Sequence, residues 1–347
     1  SSFETLLSLK TLEKIAARKG NFFRDEIERS ENPDYMLKTI KMLIKEFNIE
    51  IKNKNILDFG CGAGSFGLNL LRLGATNVTG VEVDQELIDI ADSRLNDFFP
   101  DQCILKKIDY ISDWIKDYAN SLSFQPVSLV IGVSGGIDSA VTSVLCAKSG
   151  FKTIAISMPI KQNLNQHDLS LKHLDWLKNN FDNVETKIIE LDKVFETFEN
   201  TMQDFNNSLA FANSRSRLRM VTLYQIAQAN RGIVVGTGNK VEDFGVGFYT
   251  KYGDGGVDIS PIADCKKTDV WNIGKSLGVI DEIIEAAPTD GLWDDSRNDE
   301  SQLGLSYEEI EDAMENSNSK HIKKYQQIRE PNLHKMKPIP VCILPKD

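Results

Sequence analysis

Two glycines, two serines and an aspartate fall within the nine residues VSGGIDSAV, Val133 to Val141. The preceding run, Val127 to Val133, reads as an apolar strand buried on both faces of a parallel sheet, and a helical pattern follows it. At such a strand-to-helix turn the helix N-terminus offers free N–H groups and positive dipole, which suit phosphate. Gly135 and Gly136 lack side chains, so the backbone can wrap closely around phosphate oxygens, while Ser134 and Ser139 add hydroxyl donors. Asp138 is the kind of hard oxygen ligand that Mg²⁺ takes when it also bridges phosphates. A plainer account competes, in which Asp138 and Ser139 simply cap the helix after a polar turn. The loop lacks the GxxxxGK[ST] pattern, so transfer of a γ-phosphate is not what it suggests.

A second polar stretch, GTGNKVEDFGVGFYTKYGDGGVDISPIADCKKTDV from Gly236 to Val270, is rich in glycine turns, charges and hydroxyls that a hydrophobic core does not need. Glu242 can supply a second carboxylate for Mg²⁺ opposite Asp138. Lys251 and Lys267 can neutralise phosphates, and Asp258 can accept hydrogen bonds from a polar ligand. The competing account is a long solvated loop with incidental charges.

These residues need a frame to bring them together. Helical spacing at Leu37, Ile40, Met42, Leu43, Ile44 and Phe47 is followed by a buried strand at Asn55 to Phe59, the loop DFGCGAG, a helix over 65–73, a strand over 78–83 and a helix over 85–98. That unit stops near Pro100. From Ile104 an amphipathic helix begins, and strands then read at 127–133, 153–158, 184–191 and 232–236, with helices at about 164–180 and 209–230. Alternating strand and helix implies an α/β fold with a doubly wound parallel sheet over 104–347. The prolines at 331, 338, 340 and 345 suggest an extended carboxyl tail.

Composition bounds the functions. With 40 Lys plus Arg against 51 Asp plus Glu, the net charge of −11 disfavours a nucleic-acid partner. The five cysteines contain no CxxC pair, which argues against zinc and disulfide scaffolds and suits a reducing, cytoplasmic setting. No apolar run is long enough to span a membrane.

The loop at Val133 to Val141 resembles the SGGxDS loop of the ATP pyrophosphatase (adenine nucleotide alpha hydrolase-like) family, whose members cleave ATP between the α and β phosphates. The resemblance narrows to the NAD synthetase family through NSRSRLRM at Asn213 to Met220, GTGNKVE at Gly236 to Glu242, TKYGDGGVD at Thr250 to Asp258, Lys267, PTDGLW at Pro288 to Trp293, DESQLG at Asp299 to Gly304 and His334-Lys335. It covers residues 104–347. That family amidates deamido-NAD with ammonia through an adenylate, and works as a homodimer with the dinucleotide near the subunit interface. By the resemblance, Asp138 and Glu242 hold Mg²⁺. Gly132, Val133, Ser134, Gly135, Gly136, Ile137, Asp138 and Ser139, with Thr237, Lys267 and Thr289, hold ATP, while Arg217, Lys251, Asp258, His334 and Lys335 contact deamido-NAD. Asp138, Glu242 and Lys267 carry the catalytic roles. One departure is visible: the interval from Glu242 to Lys251 is one residue longer than the family pattern. No segment resembles the glutaminase domain of some relatives, so free ammonia is the expected nitrogen source.

Residues 1–103 form a different piece. ILDFGCGAGSFG, Ile56 to Gly67, followed by Glu82 at the end of the next strand, resembles the S-adenosylmethionine loop of class I methyltransferases, which implicates Asp58, Gly60, Gly62, Gly64 and Glu82. A whole enzyme of that class has about seven strands and only two are legible, so a partial Rossmann-like fragment is expected. The competing functions are another ATP pyrophosphatase-type ligase, a methyltransferase, and a module that only binds nucleotide.

Overall fold

The computed structural model describes residues 33–47, 49–59, 64–81, 91, 100–161, 164–286 and 302–344. Its contacts divide the chain into two units, Ser1–Cys103 and Ile104–Asp347. In the first, α1 (Pro33–Phe47) precedes β1 (Asn55–Phe59), α2 (Ser65–Arg72) and β2 (Asn77–Val81). The two strands pair in parallel, from Asn55 opposite Asn77 to Phe59 opposite Val81. Ile40 of α1, Ile51 and Leu70 of α2 form a small buried cluster beside them. Gly64 enters α2 with φ 75°, a left-handed conformation that glycine adopts without strain. The Asp58 carboxyl lies above its ordinary range because of burial, partly offset by a hydrogen bond from the Gly67 backbone. Gly60, Gly62, Glu82 and the helix expected over 85–98 lie outside the described residues or almost wholly so.

The second unit is built on α3 (Pro100–Ser121), β3 (Ser128–Gly132), α4 (Ile137–Lys148), β4 (Lys152–Ser157), α5 (Leu164–Asn180), β5 (Val184–Ile188), α6 (Asp192–Thr201), α7 (Ser208–Ala229) and β6 (Gly232–Val235). α3 opens on Pro100, four residues before the expected start, at a position where the missing N–H costs nothing. The sheet order is β5-β4-β3-β6, with every pairing parallel. The chain therefore winds outward from β3 to β5 and returns to the other side of β3, which puts the end of β3 at the switch point where open α/β sheets bind ligands. Strand alternation splits the core: Leu129 and Ile131 pack with residues of α3 and α4, while Val130 packs with Phe195 of α6 and Ala227 of α7.

Beyond β6 the chain makes a π-helical turn at Lys240–Val246, then α8 (Lys267–Leu277), α9 (Asp281–Ile284), α10 (Tyr307–Glu315), α11 (Ile322–Arg329), a 3₁₀ turn at Glu330–Asn332 and α12 (Leu333–Met336). The carboxyl end is thus helical as far as Met336, which corrects the extended reading around Pro331, while residues 337–344 carry neither helix nor strand. Pro331 sits in the first positions of the 3₁₀ turn, where no N–H is required. No helix among the described residues is long and apolar enough to cross a membrane.

His173 of α5 is fully buried between α4 and α5, with Nε2 2.9 Å from the Ser143 hydroxyl and its ring stacked on Trp176 at 5.7 Å. Burial pushes its pKa down to about 4, against an ordinary 6.5. The folded state holds it neutral, so its stability contribution is complete above pH 6.5 and is lost as pH falls toward 4. That window corresponds to roughly 3 kcal/mol. Urea titrations of His173→Gln should show a flatter stability profile across this window than wild type; an unchanged slope would contradict the buried neutral histidine.

Candidate active site

The turn after β3 is shaped by its glycines and held by its own hydroxyls. Gly135 has φ 91°, and a Cβ there would lie 2.4 Å from the Gln166 carbonyl oxygen at the start of α5, so only glycine fits. Ser139 Oγ accepts the Ser134 backbone N–H at 3.1 Å and donates to the Gly136 carbonyl at 2.9 Å. Gly136 N-caps α4 with no side-chain capping bond. Asp138 and Ser139 therefore do not take the N-cap position, and the Gly136 N–H that leads into the helix donates to Ser134 Oγ at 3.3 Å.

Asp138, Glu242 and Lys267 converge next to this turn. Lys267 Nζ donates to Asp138 Oδ2 at 2.5 Å and to Glu242 Oε1 at 2.9 Å. The lysine side chain is 1% exposed, against 18% for Asp138 and 15% for Glu242, so what little solvent access the group has is on the carboxylate side, with the ammonium behind it. Each arrives on its own element: Asp138 in the first turn of α4, Glu242 in the π-helical turn, and Lys267 at the first residue of α8. Burial alone would lower the lysine pKa, but the charges of Asp138 and Glu242 outweigh it and hold the ammonium above its ordinary range. Asp138 is raised by burial and by the Glu242 charge, against the opposing pull of Lys267. Two carboxylates sharing it keep the lysine charged.

Two partners went unnoticed in the sequence. Asn239 donates from Nδ2 to Asp138 Oδ1 at 3.0 Å and accepts the Val241 and Glu242 backbone N–H groups, both at 2.9 Å. Tyr307 of α10 donates its hydroxyl to Glu242 Oε1 at 2.6 Å. Asn239 stands inside the GTGNKVE match and was available as a polar residue next to a turn; Tyr307 reads as an ordinary core aromatic.

A π-helical turn, Lys240–Val246, N-capped by Asn239, carries Glu242. Its last carbonyls are gathered from the carboxyl end of the chain. Tyr325 Oη donates to Gly245 O at 3.2 Å, Arg329 donates to the carbonyls of Phe244 and Gly245, and Asn332 donates to Val246 O at 3.0 Å. Asp243 beside Glu242 is pushed well above the ordinary carboxylate range by burial and by the charges of Asp254, Glu242 and Asp138.

A second polar group lies further along the same loop. Asp254 Oδ1 accepts the Ser216 hydroxyl at 2.7 Å and the Thr250 N–H at 2.9 Å, and Thr250 donates to Asn213 at 2.6 Å. Lys335 Nζ reaches the Tyr249 carbonyl at 2.8 Å, and burial lowers its pKa against the pull of Asp254 and Asp243. Arg217 Nε reaches the Lys251 carbonyl at 3.3 Å. The structure thus brings Arg217, Lys251 and Lys335 onto one loop region. The two oxygens of Asp258 accept the Val234 N–H at 2.7 Å and the Tyr224 hydroxyl at 2.9 Å, which fastens it to β6 and α7. His334 is exposed and bonds its own turn at Pro331 O, 2.9 Å away. Thr237 is half-buried just past β6, and Thr289 lies outside the described residues.

The NAD synthase family pattern matches residues 107–340, and a methyltransferase-domain pattern matches residues 56–127. The chain is 37% identical over 212 residues to the NH₃-dependent NAD⁺ synthetase of Finegoldia magna, covering 60% of this chain and 84% of that one. It is also 37% identical over 209 residues to that of Mesoplasma florum, covering 59% and 82%. Among solved structures, an NMN synthetase from Francisella tularensis superposes with TM-score 0.64 at 32% identity over 70% of this chain and 99% of that one. An NH₃-dependent NAD synthetase from Campylobacter jejuni shares the fold with TM-score 0.56 at 23% identity, over 69% and 99%. With its switch-point glycine turn, paired carboxylates and a family pattern running over 107–340, the chain belongs to the NAD synthase family.

Proposed function

We propose that this chain is an ammonia-dependent ligase that amidates deamido-NAD through an adenylate, releasing AMP and pyrophosphate. The observation that carries the reading is the convergence of Asp138, Glu242 and Lys267 beside the side-chain-free cap of α4, in a chain of this family.

A nicotinate carboxylate is a poor electrophile because its leaving group would be oxide. Attack of one carboxylate oxygen on the α-phosphorus of ATP forms a mixed anhydride and breaks the bond to pyrophosphate. Ammonia then attacks the carbonyl carbon, the bond to AMP breaks with its electron pair on AMP, and a proton is lost from nitrogen. The chain's own part is positioning and electrostatics. The N-terminus of α4 stands at the end of β3, where phosphates are expected, and the buried Lys267 ammonium supplies a fixed positive charge. No covalent enzyme nucleophile is needed.

The donor set fits Mg²⁺. No group of three His, Cys, Asp or Glu side chains among the described residues closes an all-protein metal site. Two partly exposed carboxylates that already share one cation match an ion that draws its remaining ligands from phosphate and water. Asp138 and Glu242 would hold it, and when bound it would screen the charge on the phosphates.

Arg217, Lys251 and Lys335 are assigned to the dinucleotide, and Thr237 and Thr289 to ATP, by the family resemblance. A homodimer is supported by apolar side chains left exposed before and on α7, namely Phe205, Leu209 and Val221. A cytoplasmic location is supported by the free thiols of Cys146, Cys265 and Cys342.

One observation favours a second reading, in which the acceptor is the nicotinate mononucleotide: the 32% identity to an NMN synthetase over 99% of that chain. Parallel assays with ATP, Mg²⁺ and ammonium decide between them. Deamido-NAD should be converted with at least tenfold higher kcat/KM than the mononucleotide, and glutamine should not replace ammonium. The reverse preference would establish the second reading, and comparable turnover with glutamine would refute ammonia dependence.

A further inference from the structure

One face of α10 is turned toward the start of α8. Tyr307, Glu311 and Glu315 are spaced four residues apart, so they lie along one stripe of the helix. Glu315 pairs with Lys266. Glu311 accepts the Thr268 N–H at 3.1 Å and the Thr268 hydroxyl at 2.9 Å. Between them in sequence stands Lys267, which Tyr307 meets from a third direction. The Lys267 Nζ lies 5.0 Å from the centre of the Tyr307 ring and 6.0 Å from that of Trp271, and the two rings meet edge to face at 5.7 Å.

Tyr307 is only 2% exposed, and its hydroxyl reaches Glu242 Oε1, the same oxygen that accepts from Lys267. A core aromatic would satisfy the packing with phenylalanine. Here the ring supplies an electron-rich surface to the ammonium, and the hydroxyl fixes which oxygen of Glu242 faces the lysine. Ser306 sets the residue in place: its side chain accepts the Glu309 N–H at 3.2 Å, and Glu309 accepts the Ser306 N–H at 3.0 Å, a reciprocal cap that fixes where α10 begins.

We propose that Tyr307 is a positioning residue for the amidation, its hydroxyl orienting Glu242 and its ring cradling the Lys267 ammonium. The proposal rests on the ligase reading above, and it places the start of α10 in the machinery that sets the two charged groups.

Tyr307→Phe keeps the ring and removes the hydroxyl; Tyr307→Leu removes both. With deamido-NAD, kcat should fall about tenfold in the phenylalanine variant, a loss corresponding to one charge-assisted hydrogen bond. The KM for ATP should change less than threefold, and the Mg²⁺ concentration for half-maximal rate should rise. The leucine variant should be slower again. Wild-type kcat and Mg²⁺ dependence in Tyr307→Phe would overturn the proposal.

A second measurement needs neither metal nor nucleotide. Removing the hydroxyl should lower the urea midpoint of the otherwise unaltered protein but leave that of Glu242→Ala unchanged, because its partner is already gone. Equal shifts in both backgrounds would overturn the proposal. If this coupling is present while the unaltered protein forms no amide product, the ligase reading fails and the bond between Tyr307 and Glu242 stands.

Discussion

Exchanging Lys267 for methionine should abolish measurable amide formation, a loss of about 10³-fold or more in kcat. It should also destabilise the protein without metal. The lysine is 1% exposed and shared by Asp138 at 2.5 Å and Glu242 at 2.9 Å. Removing it leaves two carboxylates facing each other in a site of limited solvent access, and breaking a buried pair of this kind typically costs about 3–5 kcal/mol. Mg²⁺ would then become the available counterion. Millimolar Mg²⁺ should therefore raise the melting temperature of Lys267→Met by more than it raises that of the unaltered protein. Equal increments, or turnover within tenfold of normal, would show that the lysine does not share a site with the two carboxylates in function.

The second large effect belongs to Asp138→Asn. Its two oxygens have different duties: Oδ1 accepts from Asn239 and Oδ2 from Lys267. An amide can keep one of these acceptor roles, and its NH₂ must then face a donor. Turnover should fall by about 10²–10³-fold while the protein remains folded, since Glu242 still pairs with Lys267. Circular dichroism matching the unaltered protein, together with the loss of rate, is the expected result. Near-normal turnover would remove Asp138 from the machinery.

The glycine turn and its sheet were legible in the sequence because they are local. A strand of apolar residues, two glycines and a helix signal within about twenty positions determine where the turn lies. The strand predicted at Asn55 to Phe59 and the helix at 164–180 appear with those bounds. What depends on long-range packing was less legible. The meeting of Asp138 with Glu242 was expected from the resemblance, but the lysine between them was assigned only to phosphates. Nothing near Tyr307 in the sequence distinguishes it from a core tyrosine, although the Ser306 and Glu309 pair does signal the helix start. Asp258 also has partners the sequence does not signal: a carboxylate in a glycine-rich loop reads as a ligand group, and this one accepts from the Val234 N–H and the Tyr224 hydroxyl. The π-helical turn that carries Glu242 is held by Tyr325, Arg329 and Asn332, so its form depends on the fold of the carboxyl end.

The carboxyl end shows how strongly proline weighs in a reading of sequence. Four prolines in the last seventeen residues suggested extended chain, yet Pro331 merely starts a 3₁₀ turn between two helices. The helices matter to function because they bring Lys335 to the Tyr249 carbonyl and Arg329 to the turn that carries Glu242. His334, adjacent in sequence to Lys335, bonds its own turn instead.

If Asp138, Glu242 and Lys267 work as proposed, the substrate carboxylate is activated on the α-phosphorus of ATP beside them. Deamido-NAD labelled with ¹⁸O in its carboxylate tests this directly, by mass spectrometry of the products after a turnover with ATP, Mg²⁺ and ammonium. One labelled oxygen should appear in AMP and none in pyrophosphate. Label in inorganic phosphate, or AMP formed without label, would contradict the adenylate route.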